Sequence, residues 1–264
     1  MHTTKRFFLG MMILSLILTS FTVLFAQDDE QHDDEENAHW TYEGEEGPDF
    51  WGSLDDDYAT CAEGDAQSPI NITEFVEVNL TNITFDYHTV PLAIYNNGHT
   101  IEVDVEAGSS ITYNEITYDL IQFHFHNPSE HTVNDEAGAM EVHFVHREPV
   151  SKMLAVVSVI FTLGEEDNLV YAPIFADLPP EKSTPQPTDI TINLNDLLPE
   201  ERTFLTYQGS LTTPPCSEIV RWLILGTPLS LSSAQVEAFG AIFPMNARPT
   251  QDQNQRDLLV DVTP

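Results

Sequence analysis

Residues 121–126 read Ile-Gln-Phe-His-Phe-His, and residues 139–146 read Ala-Met-Glu-Val-His-Phe-Val-His. On an extended strand alternate side chains share a face. Gln122, His124 and His126 therefore point one way, with Phe123 and Phe125 opposed to them, and Glu141, His143 and Val145 share one face of the second run. Pro128, Asn134 and Gly138 lie between the two runs and suit a turn between antiparallel strands. If the runs pair, three imidazoles converge on one point. Other short alternating or β-branched runs follow the same pattern: Ile94–Tyr95, Thr100–Val105, Ile111–Leu120, Leu154–Leu163 and Val220–Leu225. Helical periodicity is scarce. The clearest short helix is Ser232–Phe239, with a Ser cap and a Glu a few residues in. Residues 173–189 are rich in proline and read as a surface loop. Residues 39–264 are expected to form one mainly β domain with short helices.

Three neutral imidazoles that leave a fourth position open make a catalytic rather than a structural zinc site. Gln122 and Glu141 are placed to fix ring orientation from behind. A lone His on a strand is more often a satisfied core or surface residue; three on matching faces point to metal. His146 falls on the other face of its strand and His131 in the turn, so both are expected to be structural hydrogen-bonding residues. His88 is expected at the surface.

The chain has 264 residues, with 43 acidic against 9 basic side chains. Lys5 and Arg6 precede a 20-residue apolar run, Phe7–Ala26, followed by acidic residues. This order reads as a signal peptide, residues 1–26, although Leu24 departs from the usual small residue; an uncleaved anchor is the alternative. Beyond it the net charge is −36, which disfavours binding to nucleic acid or to anionic membranes. Residues 27–38 read as an acidic flexible spacer. Cys61 and Cys216 are the only cysteines. In an exported chain this even count suggests one disulfide, the alternative being two separate buried thiols.

The motifs HWTY (39–42), GPDFW (47–51), QSPINI (67–72), NNGH (96–99), QFHFH (122–126), PSEH (128–131), EVHFVH (141–146) and GSLTTPP (209–215) occur in one order. Together they make the chain resemble the α-class carbonic anhydrases from His39 to about Arg256. The resemblance implies a single domain around a large twisted, mostly antiparallel central sheet. It also implies reversible hydration of carbon dioxide to bicarbonate and a proton. One zinc ion would be bound by His124, His126 and His143, with water or hydroxide in the fourth position. Thr212 would accept the hydroxide's hydrogen bond, with Glu130 as its partner, and Thr213 would contact bicarbonate. Val145, Val156, Leu211 and Trp222 match the apolar wall for carbon dioxide. Tyr42, Asn97 and Glu102 match the polar wall, and His99 matches the proton shuttle. Glu102 stands where the family usually has an amide, and its carboxylate is expected to raise the pKa of His99. A Cys61–Cys216 bridge would brace the loop carrying Thr212, as in secreted relatives. Analogy with bacterial relatives suggests a homodimer, and the export reading suggests a periplasmic or secreted location, with no membrane partner after cleavage.

A non-catalytic relative that kept only the fold would typically have lost a zinc histidine, and all three are present. No HExxH supports a zinc peptidase, and no GxSxG supports a serine esterase.

Overall fold

The two histidine-bearing runs form neighbouring strands, Ile116–His126 and Met140–Arg147. They pair antiparallel, with His124 opposite His143 and His126 opposite Glu141. The computed structural model describes residues 38–263. The expected signal peptide and all but the last residue of the expected spacer lie outside the described residues. Among the described residues, these strands sit inside a 12-stranded sheet. From Met140–Arg147 the sheet continues through Leu154–Gly164, Val220–Leu225, Phe204–Gly209, Leu259–Asp261 and Val76–Val78; from Ile116–His126 it continues through Ile101–Asp104 and Ala93–Asn96. Most pairings are antiparallel, as expected. Leu154–Gly164 runs parallel to Val220–Leu225, and Leu259–Asp261 parallel to Val76–Val78, so the sheet is mixed.

Alternation along the strands builds two different layers. Phe123, Phe125, Val142, Phe144, Val157 and Leu223 point into the larger hydrophobic core. Burying each of these phenylalanines contributes roughly 1.5–3 kcal/mol by area. The opposite face carries His124, His143, Val145, Val156 and Trp222, arranged by register: Val145 faces Val156, which faces Trp222. A third cluster joins Trp51 and Tyr58 to the disulfide between Cys61 and Cys216. Trp40 and Tyr42 pack against it.

Three sequence expectations need adjustment, and one strand was not expected. The run Ile111–Leu120 is two strands, Ser110–Tyr113 and the start of Ile116–His126, folded into a hairpin. Asn114 and Glu115 both take left-handed backbone angles (φ 49° and 67°), the signature of a tight two-residue turn. The short helix is Ser233–Gly240, and the side chain closing its capping box on Ser232 is Gln235, not the later Glu. The start of the proline-rich segment is helical: Ala172–Phe175 has Pro near its N-terminus, where a missing N–H costs nothing, and buries Ile174 and Phe175. The strand Phe204–Gly209 was not anticipated. It is buried on both faces along most of its length, Thr206 included, although its residues alternate in polarity over Leu205–Gln208.

Candidate metal centre

One ring nitrogen from each of His124, His126 and His143 lies within 4.8 Å of the others. His124 is half-buried; His126 and His143 are buried. The other nitrogen of each ring is occupied. His124 Nδ1 lies 2.8 Å from Gln122 Oε1. His126 Nδ1 donates to the Asn246 carbonyl at 2.8 Å, and His143 Nε2 donates to Glu141 Oε1 at 2.9 Å. Each acceptor fixes the proton on the outer nitrogen. The inward atoms are therefore His124 Nε2, His126 Nε2 and His143 Nδ1, and each presents a lone pair. His126 Nε2 is buried and has no hydrogen-bond partner among the described residues. Such an orphaned atom is costly unless something binds it. Burial lowers the pKa of all three rings, His126 to about 4, and the neighbouring rings depress His124 further. They are neutral at pH 7, the state a cation requires. Three neutral imidazoles with an open side can hold a divalent metal ion.

A second cluster, His131, Glu141 and His143, is equally close, but hydrogen bonds account for it. Glu141 Oε1 accepts from His131 Nδ1 (2.8 Å), from His143 Nε2 and from the Ser158 hydroxyl. Its Oε2 accepts from the backbone N–H groups of Glu130 and His131, both at 2.8 Å. Burial works to raise the Glu141 pKa, but His131 and His143 outweigh it and hold the carboxyl well below the usual range. His131 Nε2 lies 2.7 Å from the Tyr207 hydroxyl, which donates to Ser68 Oγ. His131 is thus a structural residue, as expected. So is His146, whose nitrogens meet the Tyr87 hydroxyl and the Ala155 carbonyl. His88 is exposed beside Asp86.

Glu130 is buried behind the centre, its Oε1 3.5 Å from His126 Nδ1 and its Oε2 3.9 Å from His143 Nδ1. Oε1 accepts the Arg248 backbone N–H at 2.9 Å. Burial pushes the carboxyl up to about 7, against the pull of His143, the Arg248 N–H and the Thr212 hydroxyl. Thr212 is buried beside it, although Oε2 makes no hydrogen bond of full geometry. The Thr212 loop is anchored twice: Leu211 N–H donates to the Ser217 carbonyl, and Cys216 N–H donates to the Thr213 carbonyl. The disulfide ties this loop to residue 61. Thr213 is half-buried. Val156 and Trp222 belong to one apolar cluster, with Val145 and Leu211 packed against it. The Trp222 ring lies 4.8 Å from that of His143.

Tyr42, Asn97, His99 and Glu102 are half-buried, and Tyr42 and His99 line one shallow cavity with Trp40. The His99 ring stacks on Trp40 with centroids 3.8 Å apart. The expected effect of Glu102 on His99 is not found. Its carboxylate accepts from Tyr95 OH (2.7 Å) and Asn97 Nδ2 (2.8 Å). The His99 pKa is lowered rather than raised, by burial first and then by the charges of Lys182 and His39.

Sequence reasoning missed three residues. Trp40 lies in the HWTY motif, where nothing in the sequence marks the stacking of its ring on His99. Asn246 accepts from His126 through its carbonyl and, through Nδ2, donates to the carbonyls of His99 (3.1 Å) and Phe125 (3.0 Å). Arg248 is buried, donates to Gln67 Oε1 and to the carbonyls of Ser68 and Cys61, and sits over the Trp51 ring. A basic residue in so acidic a chain was the one available signal for Arg248. Asn246 had none, because its ligand-facing group is a backbone carbonyl.

The profile of the family described as eukaryotic-type carbonic anhydrase matches residues 46–261. A carbonic anhydrase of Klebsiella pneumoniae is 41% identical over 222 residues, covering 83% of this chain and 89% of its own. One from Nostoc sp. is 38% identical, covering 83% and 84%. Among solved structures, a hyperthermostable carbonic anhydrase from an active hydrothermal vent chimney is 42% identical with a TM-score of 0.81, covering 84% of this chain and all of its own. The α-carbonic anhydrase of Thermovibrio ammonificans, in complex with sulfanilamide, also has a TM-score of 0.81, at 37% identity, covering 84% and 99%.

Proposed function

The chain belongs to the eukaryotic-type carbonic anhydrase family, and on that premise we propose how its own residues carry the reversible hydration of carbon dioxide. The metal is assigned as one zinc ion per chain, held by His124, His126 and His143. Zinc in such a site supplies a Lewis acid that makes water nucleophilic at neutral pH, an effect for which carbonic anhydrases are a standard example. Gln122, Asn246 and Glu141 hold the three rings so that the inward lone pairs stay aimed at one point.

Glu130 can only accept when ionised. A hydrogen bond from Thr212 to it leaves the threonine oxygen as an acceptor, which orients the attacking water by its proton. Thr213 lies next along the loop and contacts bicarbonate. Carbon dioxide has no charge and no donor, so an apolar wall of Val145, Val156, Leu211 and Trp222 suits it. The product proton leaves through His99, imidazole being the side chain whose ordinary titration spans the range a shuttle needs, along a polar wall of Tyr42, Asn97 and Glu102.

Residues 1–26 are read as a signal peptide, 27–38 as a spacer and 39–264 as the catalytic domain. A periplasmic or secreted location suits the disulfide. Association into a homodimer is read directly by sedimentation.

The observation that carries the metal assignment is the set of three outward-tethered rings with free inward nitrogens. Stopped-flow carbon dioxide hydration with metal analysis, before and after chelation, tests it. Activity is expected to disappear with the metal and to return with added zinc. Full activity in demonstrably metal-free protein would refute the assignment.

A further inference from the structure

We propose that Glu102 is a positioning residue for proton transfer, acting through Asn97 to fix the turn that carries His99. The proposal rests on the reading of His99 as the shuttle. Strands Ala93–Asn96 and Ile101–Asp104 pair antiparallel, with Tyr95 opposite Glu102, and residues 97–100 connect them. Glu102 accepts from the facing strand and from the turn: Oε1 from Tyr95 OH at 2.7 Å and Oε2 from Asn97 Nδ2 at 2.8 Å. An ionised carboxylate is an acceptor only, so it accepts one orientation of the Asn97 amide. Oδ1 must then face inward, where it accepts the backbone N–H groups of His99 and Thr100, each at 2.9 Å. The other side of the His99 residue is held too, because its carbonyl accepts from Asn246 Nδ2, and the Asn246 carbonyl in turn accepts from the metal-facing His126. The shuttle is thereby placed in register with the metal centre through its backbone, and the ring rests on Trp40.

This role depends on an acceptor at position 102, not on its charge. Glutamine can offer Oε1 to Asn97 and Nε2–H to the Tyr95 oxygen, so Glu102→Gln should keep the clamp; Glu102→Ala should release it. The readout is carbon dioxide hydration in dilute buffer, where the proton leaves through the protein, compared with concentrated imidazole, which removes it directly. Glu102→Ala is expected to lower kcat in dilute buffer by about three- to tenfold, the scale of a modest misplacement. kcat/KM should change less, imidazole should restore kcat, and Glu102→Gln should resemble the parent. Asn97→Ala breaks the same link from the other end and serves if Glu102→Ala folds poorly. The double variant should be no worse than either single one.

Equal losses in Glu102→Ala and Glu102→Gln would show a charge effect and overturn the clamp, as would additive losses with Asn97→Ala. His99→Ala separates the two readings. If it loses buffer-rescuable kcat while Glu102→Ala and Asn97→Ala do not, the clamp fails and the shuttle stands. If His99→Ala itself changes nothing, the shuttle reading fails and the clamp falls with it.

Discussion

His143 and His146 lie three residues apart on one strand and are buried alike, at 1% and 0% exposure. They differ in where their second nitrogen goes. His143 spends Nε2 on Glu141 and keeps Nδ1 toward the other two rings, whereas His146, in the opposite layer, has both nitrogens engaged by Tyr87 and Ala155. Burial and residue type do not separate the two rings. A spare lone pair, held in place from behind and aimed at two others, does.

The sharpest way to break this contrast is to remove each ring in turn. His143→Ala should lower metal affinity by more than about 100-fold, beyond what losing a supporting residue costs, and abolish hydration. His146→Gln should keep bound metal, as read by metal analysis of the purified variants. Loss of metal from both would erase the distinction.

The second consequence is acid stability. Burial holds His146 down to about 3, whereas an unfolded histidine titrates near 6.5. The unfolded chain therefore takes up a proton that the folded chain refuses. The stability from this residue is complete above about pH 6.5 and is lost as pH falls toward 3, at about 1.4 kcal/mol per pH unit. Denaturant unfolding of His146→Gln across that range should show a shallower acid slope than the parent. An unchanged slope would mean that His146 is not held neutral.

Smaller effects probe the supports. Gln122→Ala frees the outer nitrogen of His124 and should weaken metal binding by roughly tenfold, the lower range for such partners, measured by competition with a chelator. Lys182→Gln removes a positive charge near His99 and should move the apparent pKa of proton release upward in the pH profile of kcat. A downward shift would contradict the assigned cause.

How legible the molecule was in sequence follows from the same physics. Alternation placed the three histidines on one side and Phe123, Phe125 and Phe144 on the other, because a half-polar strand writes its two faces into its sequence. Phe204–Gly209 alternates over only four residues, Leu205–Gln208, and buries Thr206 on its polar side. The hairpin at Asn114–Glu115 was missed because the β-branched residues on both sides read as one run. Gln122 and Glu141 were visible as supports because they are side chains two residues from the rings they hold. Asn246 supports His126 from 120 positions away with a carbonyl that every residue possesses. Glu102 was noticed, but its partners were not: the tight hairpin turns it toward Tyr95 and Asn97, and a charge close in sequence to His99 proved to act on its neighbours instead.

The most direct measurement is crystallographic anomalous scattering collected on both sides of the zinc absorption edge. One peak per chain is expected, bonded to His124 Nε2, His126 Nε2 and His143 Nδ1. A peak on the His131–Glu141 side, or none at the three rings in active protein, would contradict the metal centre on which the chemistry depends.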